Sequence, residues 1–419
     1  MDNRLRSLVF TSFGHFSNDS VYLVYPLLIT YYTLIPGLNI VLLGTLAIVY
    51  QLIYGAISTP IGILVDKTGD EGLMIAIGIA ILGIGMLSFA ASFAFASYRL
   101  AFIILGVLLL GSGTAFYHPI GASVLKSSYK EKAASMMGIN GSMGSFGRSL
   151  MPIILVFLIT LLGASFALGI VSAELLASAG ILYVGLLPFN RRLFMHNKPK
   201  IMRSKKKNDP VTKTEKKSES LFKSKYFGVL VPLVAVIFVR AMFMTGTTTF
   251  VPEYLKTITH SEVLVGTILS ISFLFAIFGQ LGFGYLTSKK GGRYTITFTS
   301  FVSAASFILF LYAGSNIYLA LAMYSLFVFV TFNGFAVVLG YVNQLVPDEV
   351  ANRSNAFTWG VGQILGGATG IGVITLLLEF VSVGKAMWYM VIFVLLAIFM
   401  LPLLYRHKGK NRSAINMHH

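Results

Sequence analysis

The feature that most constrains this chain is a series of apolar blocks, each roughly 20 to 28 residues long and separated by short polar breaks, running through almost all of its 419 residues. At 1.5 Å per helical residue such a block crosses a hydrocarbon core about 30 Å thick. Hydropathy and breakers place helices at about 7 to 34, 41 to 65, 73 to 95, 99 to 124, 133 to 162 and 167 to 188. After a polar stretch, six more fall at about 226 to 255, 263 to 287, 294 to 314, 317 to 345, 353 to 378 and 384 to 405. With 56% hydrophobic and 11% charged residues, the composition lies outside the range of soluble domains, so the bilayer is the solvent. The expected fold is an all-α membrane protein of about twelve transmembrane helices.

Orientation follows from the basic residues. If the N-terminus is cytoplasmic, all of the 32 Lys and Arg except Arg99, Lys256, Lys385 and the intramembrane Arg148 and Arg240 fall on cytoplasmic segments. Both termini are therefore expected inside. The formal charge of +17 is accounted for by this asymmetry, with no nucleic-acid partner. The expected organisation is a six-helix bundle over 1–189, a basic linker over 190–225, a second bundle over 226–405 and a tail over 406–419. The linker runs Lys205-Lys206-Lys207 and Lys216-Lys217 suit anionic headgroups. The first apolar block holds His15 and Asp19 and is too long for a cleaved signal, so it is expected to stay in the mature chain. Cysteine is absent, which removes thiol chemistry and disulfides. No nucleotide-binding loop and no H-E-x-x-H pattern occurs, so neither an enzyme, a cofactor nor a metal is expected.

The two sets of six helices carry an internal repeat. Gly62-Ile63-Leu64-Val65-Asp66-Lys67-Thr68-Gly69 aligns with Gly284-Tyr285-Leu286-Thr287-Ser288-Lys289-Lys290-Gly291, and at the same offset Gly138 maps onto Gly360 and Gly144 onto Gly366. Parallel repeats of this kind place a substrate site between the halves, near the middle of the membrane.

The Gly62, Asp66 and Gly69 loop resembles the signature loop between the second and third helices of the major facilitator superfamily, although Asp70-Glu71 stands where that family tends to have a basic pair. Three further stretches resemble a narrower group, the transporters related to the fosmidomycin-resistance protein. These are Gly14-His15-Phe16-Ser17-Asn18-Asp19 before Tyr25-Pro26-Leu27-Leu28 in the first helix, Gly111 to Pro119 ending in His118-Pro119 in the fourth, and Gly144 to Pro152 in the fifth. Arg148 and Met151 depart from the group's pattern in the last stretch. The resemblance implies a secondary transporter of the cell membrane working by alternating access. Its expected partners are a small-molecule substrate, protons and membrane lipids, and its expected state is a monomer. Proton-coupled export of a small anionic or amphiphilic compound leads. A proton symporter or facilitator for an organic acid or sugar, and a non-transporting sensor on the same fold, are the alternatives.

Ionisable groups inside helices are the most informative residues, because a charge at the bilayer centre costs about 2.5 to 3.5 kcal/mol. Asp19 lies roughly 18 Å into the first helix. With His15 one turn earlier on the same face, it reads either as a proton site or as a buried structural network. His118 is either a second titrating site or a cap for the carbonyl freed by Pro119. Arg240, at similar depth in the seventh helix, suits a carboxylate or phosphonate or else neutralises Asp19. Arg148 either adds positive potential to the cavity or pairs with Glu174 in a structural ion pair. Asn18, Tyr22, Tyr117, Asn333, Asn343, Gln363 and Trp359 are candidate substrate contacts or packing residues. The glycines at 138, 141, 144 and 147 read as close helix packing.

Overall fold

A computed structural model describes residues 1–190 and 226–405. The expected basic linker from residue 191 on and the 406–419 tail lie outside the described residues, as does the side chain of Asp66. Twelve helical passes appear among the described residues. They are α1 in two pieces (Asn3–Ser20 and Val24–Tyr32), α2 (Ile40–Thr68), α3 (Glu71–Ala94), α4 (Arg99–Tyr129), α5 (Ala133–Leu162) and α6 (Ala164–Gly185). The second set comprises α7 (Phe227–Thr259), α8 (Glu262–Lys290), α9 (Gly292–Tyr312), α10 in two pieces (Ile317–Thr331 and Gly334–Leu345), α11 (Asp348–Phe357 continuing to Gly366–Leu377) and α12 (Val383–Met400).

Among the described residues eleven of these passes are long and apolar enough to cross a bilayer. The remaining one, α1, is too polar by composition because it buries Ser7, Thr11, Ser17, Asn18, Asp19 and Ser20 on its inward face. That inversion, with the polar side inside and lipid outside, is what a membrane solvent requires of a helix lining a functional interior. The helices run past the expected boundaries mainly at their polar ends: α4 continues to Tyr129 and α11 begins at Asp348.

The repeat read from the sequence is present in the backbone. The α2 helix ends at Gly69 with φ 68°, its N–H donating to the Val65 carbonyl at 2.7 Å, and α8 ends at Gly291 with φ 89°, its N–H donating to Thr287 at 3.0 Å. Both positions need a left-handed or extended positive-φ residue to stop a long helix, which is why glycine recurs there. A similar pairing joins α5 to α1 and α11 to α7, where Gly147 packs on the Phe16 carbonyl and Gly366 on the Phe238 carbonyl.

Three passes are irregular, and each irregularity has a local cause. The break in α1 is a 3-10 turn at Val21–Leu23, just before Pro26, whose ring disturbs the carbonyl one turn earlier. The break in α10 falls at Phe332 and Asn333, and the Asn333 amide donates to the Val330 carbonyl at 2.7 Å, satisfying one group the break releases. In α11 the segment Thr358–Leu365 is π-helical and contains Gly360 and Gly362.

The two sets of helices meet most closely at the end away from the termini. Lys256 Nζ on α7 donates to the Thr30 carbonyl of α1 at 2.7 Å. Gly266 of α8 packs against Pro152 and Val156 of α5, and the Ser270 hydroxyl accepts from the Ile153 N–H at 3.0 Å. Below this seal, on the side of the termini, the sets part around a cavity.

Candidate functional site

The cavity has a volume of about 150 Å³. The first set of helices lines it with His15, Asn18, Asp19 and Tyr22 from α1, Tyr50, Gln51 and Tyr54 from α2, Tyr117 and His118 from α4, and Asn140 and Arg148 from α5. The second set contributes Met244 and Thr245, Gln280, Thr331 and Phe332, and Trp359 and Gln363. All three irregular passes therefore reach this wall, each beside its own break. A backbone that leaves regular helix inside a membrane is tolerated where it borders such an interior.

Charge is concentrated in the first set. The Asp19 carboxylate, 3% exposed, lies 2.5 Å from Arg148 Nη2, 3.1 Å from His15 Nε2 and 3.6 Å from His118 Nε2. The Asn18 amide donates to Asp19 Oδ1, the oxygen that faces His118, at 2.9 Å. Arg148 also lies over the Tyr22 ring, 5.0 Å from its centroid. The second ring nitrogen of His15 bonds Asn140 Oδ1 at 2.7 Å, and Asn140 Nδ2 reaches the Tyr117 hydroxyl at 2.9 Å and Thr11 Oγ1 at 3.2 Å. The Tyr117 hydroxyl itself donates to the Thr11 carbonyl at 2.6 Å. The result is a connected polar network across α1, α4 and α5, with one acid, one fixed cation and two imidazoles.

The network fits a proton better than a metal. His15, Asp19 and His118 offer ligand atoms within 4.8 Å of one another, but the Arg148 guanidinium already occupies the carboxylate. A divalent cation placed there would face a fixed positive charge in a medium that screens it poorly.

The geometry places each of the remaining candidate residues and separates several of the alternatives. Arg240 does not neutralise Asp19: its guanidinium turns toward α9, donating to the Ile296 carbonyl and Thr299 Oγ1, both at 3.2 Å. Arg148 takes the role instead, so it forms no pair with Glu174, whose carboxylate accepts from Ser178 one turn along α6 at 2.8 Å. Glu174 sits on the exposed face of α6. His118 faces Asp19 rather than capping the carbonyl freed by Pro119, and α4 runs unbroken through that proline. Asn333 is buried and bonds Val330 at the α10 break, while its neighbours Thr331 and Phe332 line the cavity. Asn343 is exposed and accepts from Asn355. Tyr22, Tyr117, Gln363 and Trp359 do line the cavity. Gly62 has open space beside it and Gly69 ends its helix.

Residues not foreseen are Asn140, Tyr50, Gln51, Tyr54 and Gln280. Asn140 stands between Gly138 and Gly141, in a run that reads as packing alone. A polar amide in the midst of a small-residue stripe was the signal available.

Comparison with known proteins agrees with this architecture. The family model of the Major Facilitator Superfamily matches residues 8–367. The chain is 24% identical over 374 residues to an uncharacterized MFS-type transporter, YfnC, of Bacillus subtilis (strain 168), covering 88% of this chain and 86% of the relative. It is 22% identical over 372 residues to the fosmidomycin resistance protein of Escherichia coli (strain K12), covering 87% and 84%. Among solved structures it is similar to a POT family transporter in complex with 5-aminolevulinic acid, with TM-score 0.72 and 12% identity. A second solved structure, of a POT family transporter in complex with a thioalcohol-conjugated peptide, gives TM-score 0.73 and 13% identity. Each covers 95% of both chains, and at these identities they bear on the fold alone.

Proposed function

Because the chain belongs to the Major Facilitator Superfamily, we propose that it is a proton-coupled secondary transporter that exports a small organic compound from the cytoplasm by alternating access, with Asp19 as the coupling site. Transport of a small substrate across a membrane is what its relatives' names and the family have in common. Export is supported by the resistance function in the name of one relative. With the termini inside, a cavity on their side of the seal corresponds to an inward-facing state.

The observation that carries proton coupling is the 2.5 Å contact between Asp19 on α1 and Arg148 on α5. A proton on Asp19 removes the negative half of the pair and releases α5 from α1 at that level. The α5 helix is also the one that packs on α8 across the interface, through the Gln280 amide to Ser145 at 3.3 Å and Ser270 to Ile153. Protonation is thereby connected to the surface along which the two sets of helices must rock. His15 and His118, both within reach of the carboxylate, carry ring nitrogens that can pass a proton to or from it.

The test uses purified protein in liposomes with an imposed pH gradient and a ligand found by thermal-shift screening. Asp19→Asn is expected to abolish gradient-driven accumulation while ligand exchange continues. Uphill transport by that variant with the parent's pH dependence would place the proton elsewhere.

A further inference from the structure

The two intramembrane arginines are not equivalent in charge. Arg148 is neutralised by Asp19, whereas Arg240 forms no ion pair among the described residues. Its two long bonds, to a carbonyl and a hydroxyl, use two of the five guanidinium N–H groups and bring dipoles rather than a counter-charge. A net cation in the membrane interior is costly to keep and marks a functional site by default.

Beside Arg240 lies a niche of about 30 Å³, bordered also by Ser303, Thr331 and Gln363. That is room for about two water-sized groups, which matches the two oxygens of a carboxylate and is far too little for a whole organic molecule. Met244, Thr331 and Gln363 border both this niche and the main cavity, so it is a side chamber off the same space. Arg148 cannot take an anion without giving up Asp19, and the residues that border the niche beside Arg240 are all neutral.

We propose that this niche is the head-group subsite for a carboxylate-bearing substrate. Arg240 receives the carboxylate by charge-assisted hydrogen bonds, and the remainder of the molecule lies in the main cavity among Tyr22, Tyr54 and Trp359. Recognition of the head group would thus belong to the second set of helices and proton binding to the first. The proposal rests on the transporter reading and adds the substrate class to it.

The experiment measures binding of three matched probes to the full-length protein in detergent: 4-phenylbutyrate, 3-phenylpropylphosphonate and the neutral 4-phenylbutyramide. The expected result is that the carboxylate binds best, that the bulkier phosphonate is weaker, and that the amide is at least about tenfold weaker, as loss of a charged hydrogen bond requires. Arg240→Gln is expected to remove the preference for acid over amide. Arg240→Lys, which keeps the charge and guards against a folding defect in the first variant, is expected to retain part of it. Equal binding of acid and amide, an undiminished preference in Arg240→Gln, or no binding of the carboxylate would overturn the assignment, and a phosphonate that binds better than the carboxylate would overturn the head group. Proton-driven flux of neutral compounds alone would sink only this inference. Arg240-dependent acid binding without any flux in liposomes would instead sink the transporter reading.

Discussion

Asp19 and Arg148 meet at 2.5 Å inside the membrane, joining α1 to α5 where the cavity is deepest in charge. Each is the reason the other is tolerated there, since a buried ion that loses its partner keeps its full desolvation cost. Arg148→Gln is therefore expected to destabilise the protein by about 3 kcal/mol, in the range for breaking a buried pair. Adding Asp19→Asn to that variant should recover most of the loss. A double-mutant cycle by thermal or denaturant unfolding reads the coupling, expected to be at least about 1 kcal/mol. Strictly additive losses would mean that the pair contributes nothing to holding α1 on α5.

Gly144 gives a probe of the same network that alters no charge. A methyl group at this position would come within 2.6 Å of both the His15 ring and Asp19 Oδ2. Gly144→Ala is expected to displace the imidazole from the carboxylate, lowering gradient-driven transport and changing its pH profile. Gly138→Ala, where the nearest atom would be Leu281 Cδ2 at 3.7 Å, is the control and should leave both unchanged. Equal effects from the two substitutions would indicate a general packing defect.

The helices themselves were legible in the sequence, because crossing a bilayer demands a run of apolar residues that few other structures need. Asp19 was legible for the complementary reason, as a charge where charge is expensive. Its partner was not. Counting residues from a helix end gives depth, so Arg148 and Arg240 look alike, but depth carries no information about which way a side chain points around the helix. Each residue turns that direction by about 100°, and it is packing between passes that decides that Arg148 faces α1 and Arg240 faces α9. Asn140 escaped for another reason: a neutral amide pays a smaller penalty in the membrane and leaves no mark in the charge pattern. The α10 break and the π-helical turn of α11 were hidden because hydropathy runs on across Phe332 and across Gly360 and Gly362.

Orientation in the membrane can be checked with single cysteines, since the chain has none of its own. Ser288, exposed at the end of α8, lies on the side of the termini, and Ser97, exposed between α3 and α4, lies on the other. With both termini cytoplasmic, as the distribution of Lys and Arg predicts, an impermeant maleimide added to intact cells should modify Ser97→Cys and spare Ser288→Cys. The reverse pattern would invert the topology and, with it, the inward-facing assignment.

Lys256 holds the seal opposite the cavity. Its ammonium donates to the Thr30 carbonyl at 2.7 Å, pairs with Glu262 at 3.2 Å, and lies 5.9 Å from the centroid of the Tyr31 ring. The Thr30 and Tyr31 contacts cross from α7 to α1, so they exist only while this end is shut, whereas the Glu262 pair stays within one set of helices. Lys256→Met keeps much of the side-chain length but removes the donor and the charge. It thus weakens the sealed state relative to the open one, and a charged hydrogen bond worth about 1.5 kcal/mol or more would shift that balance about tenfold. The shift should be visible in a reporter inside the cavity. Gln51→Cys, on α2 at the cavity wall, should react slowly with an impermeant maleimide from outside in the otherwise unaltered protein. In the Lys256→Met background the same cysteine should react several-fold faster, while Glu262→Gln, which leaves both cross-interface contacts in place, should have a smaller effect. If Lys256→Met leaves the rate unchanged, the seal is held by the apolar packing of α5 against α8 alone, and the lysine only covers its edge.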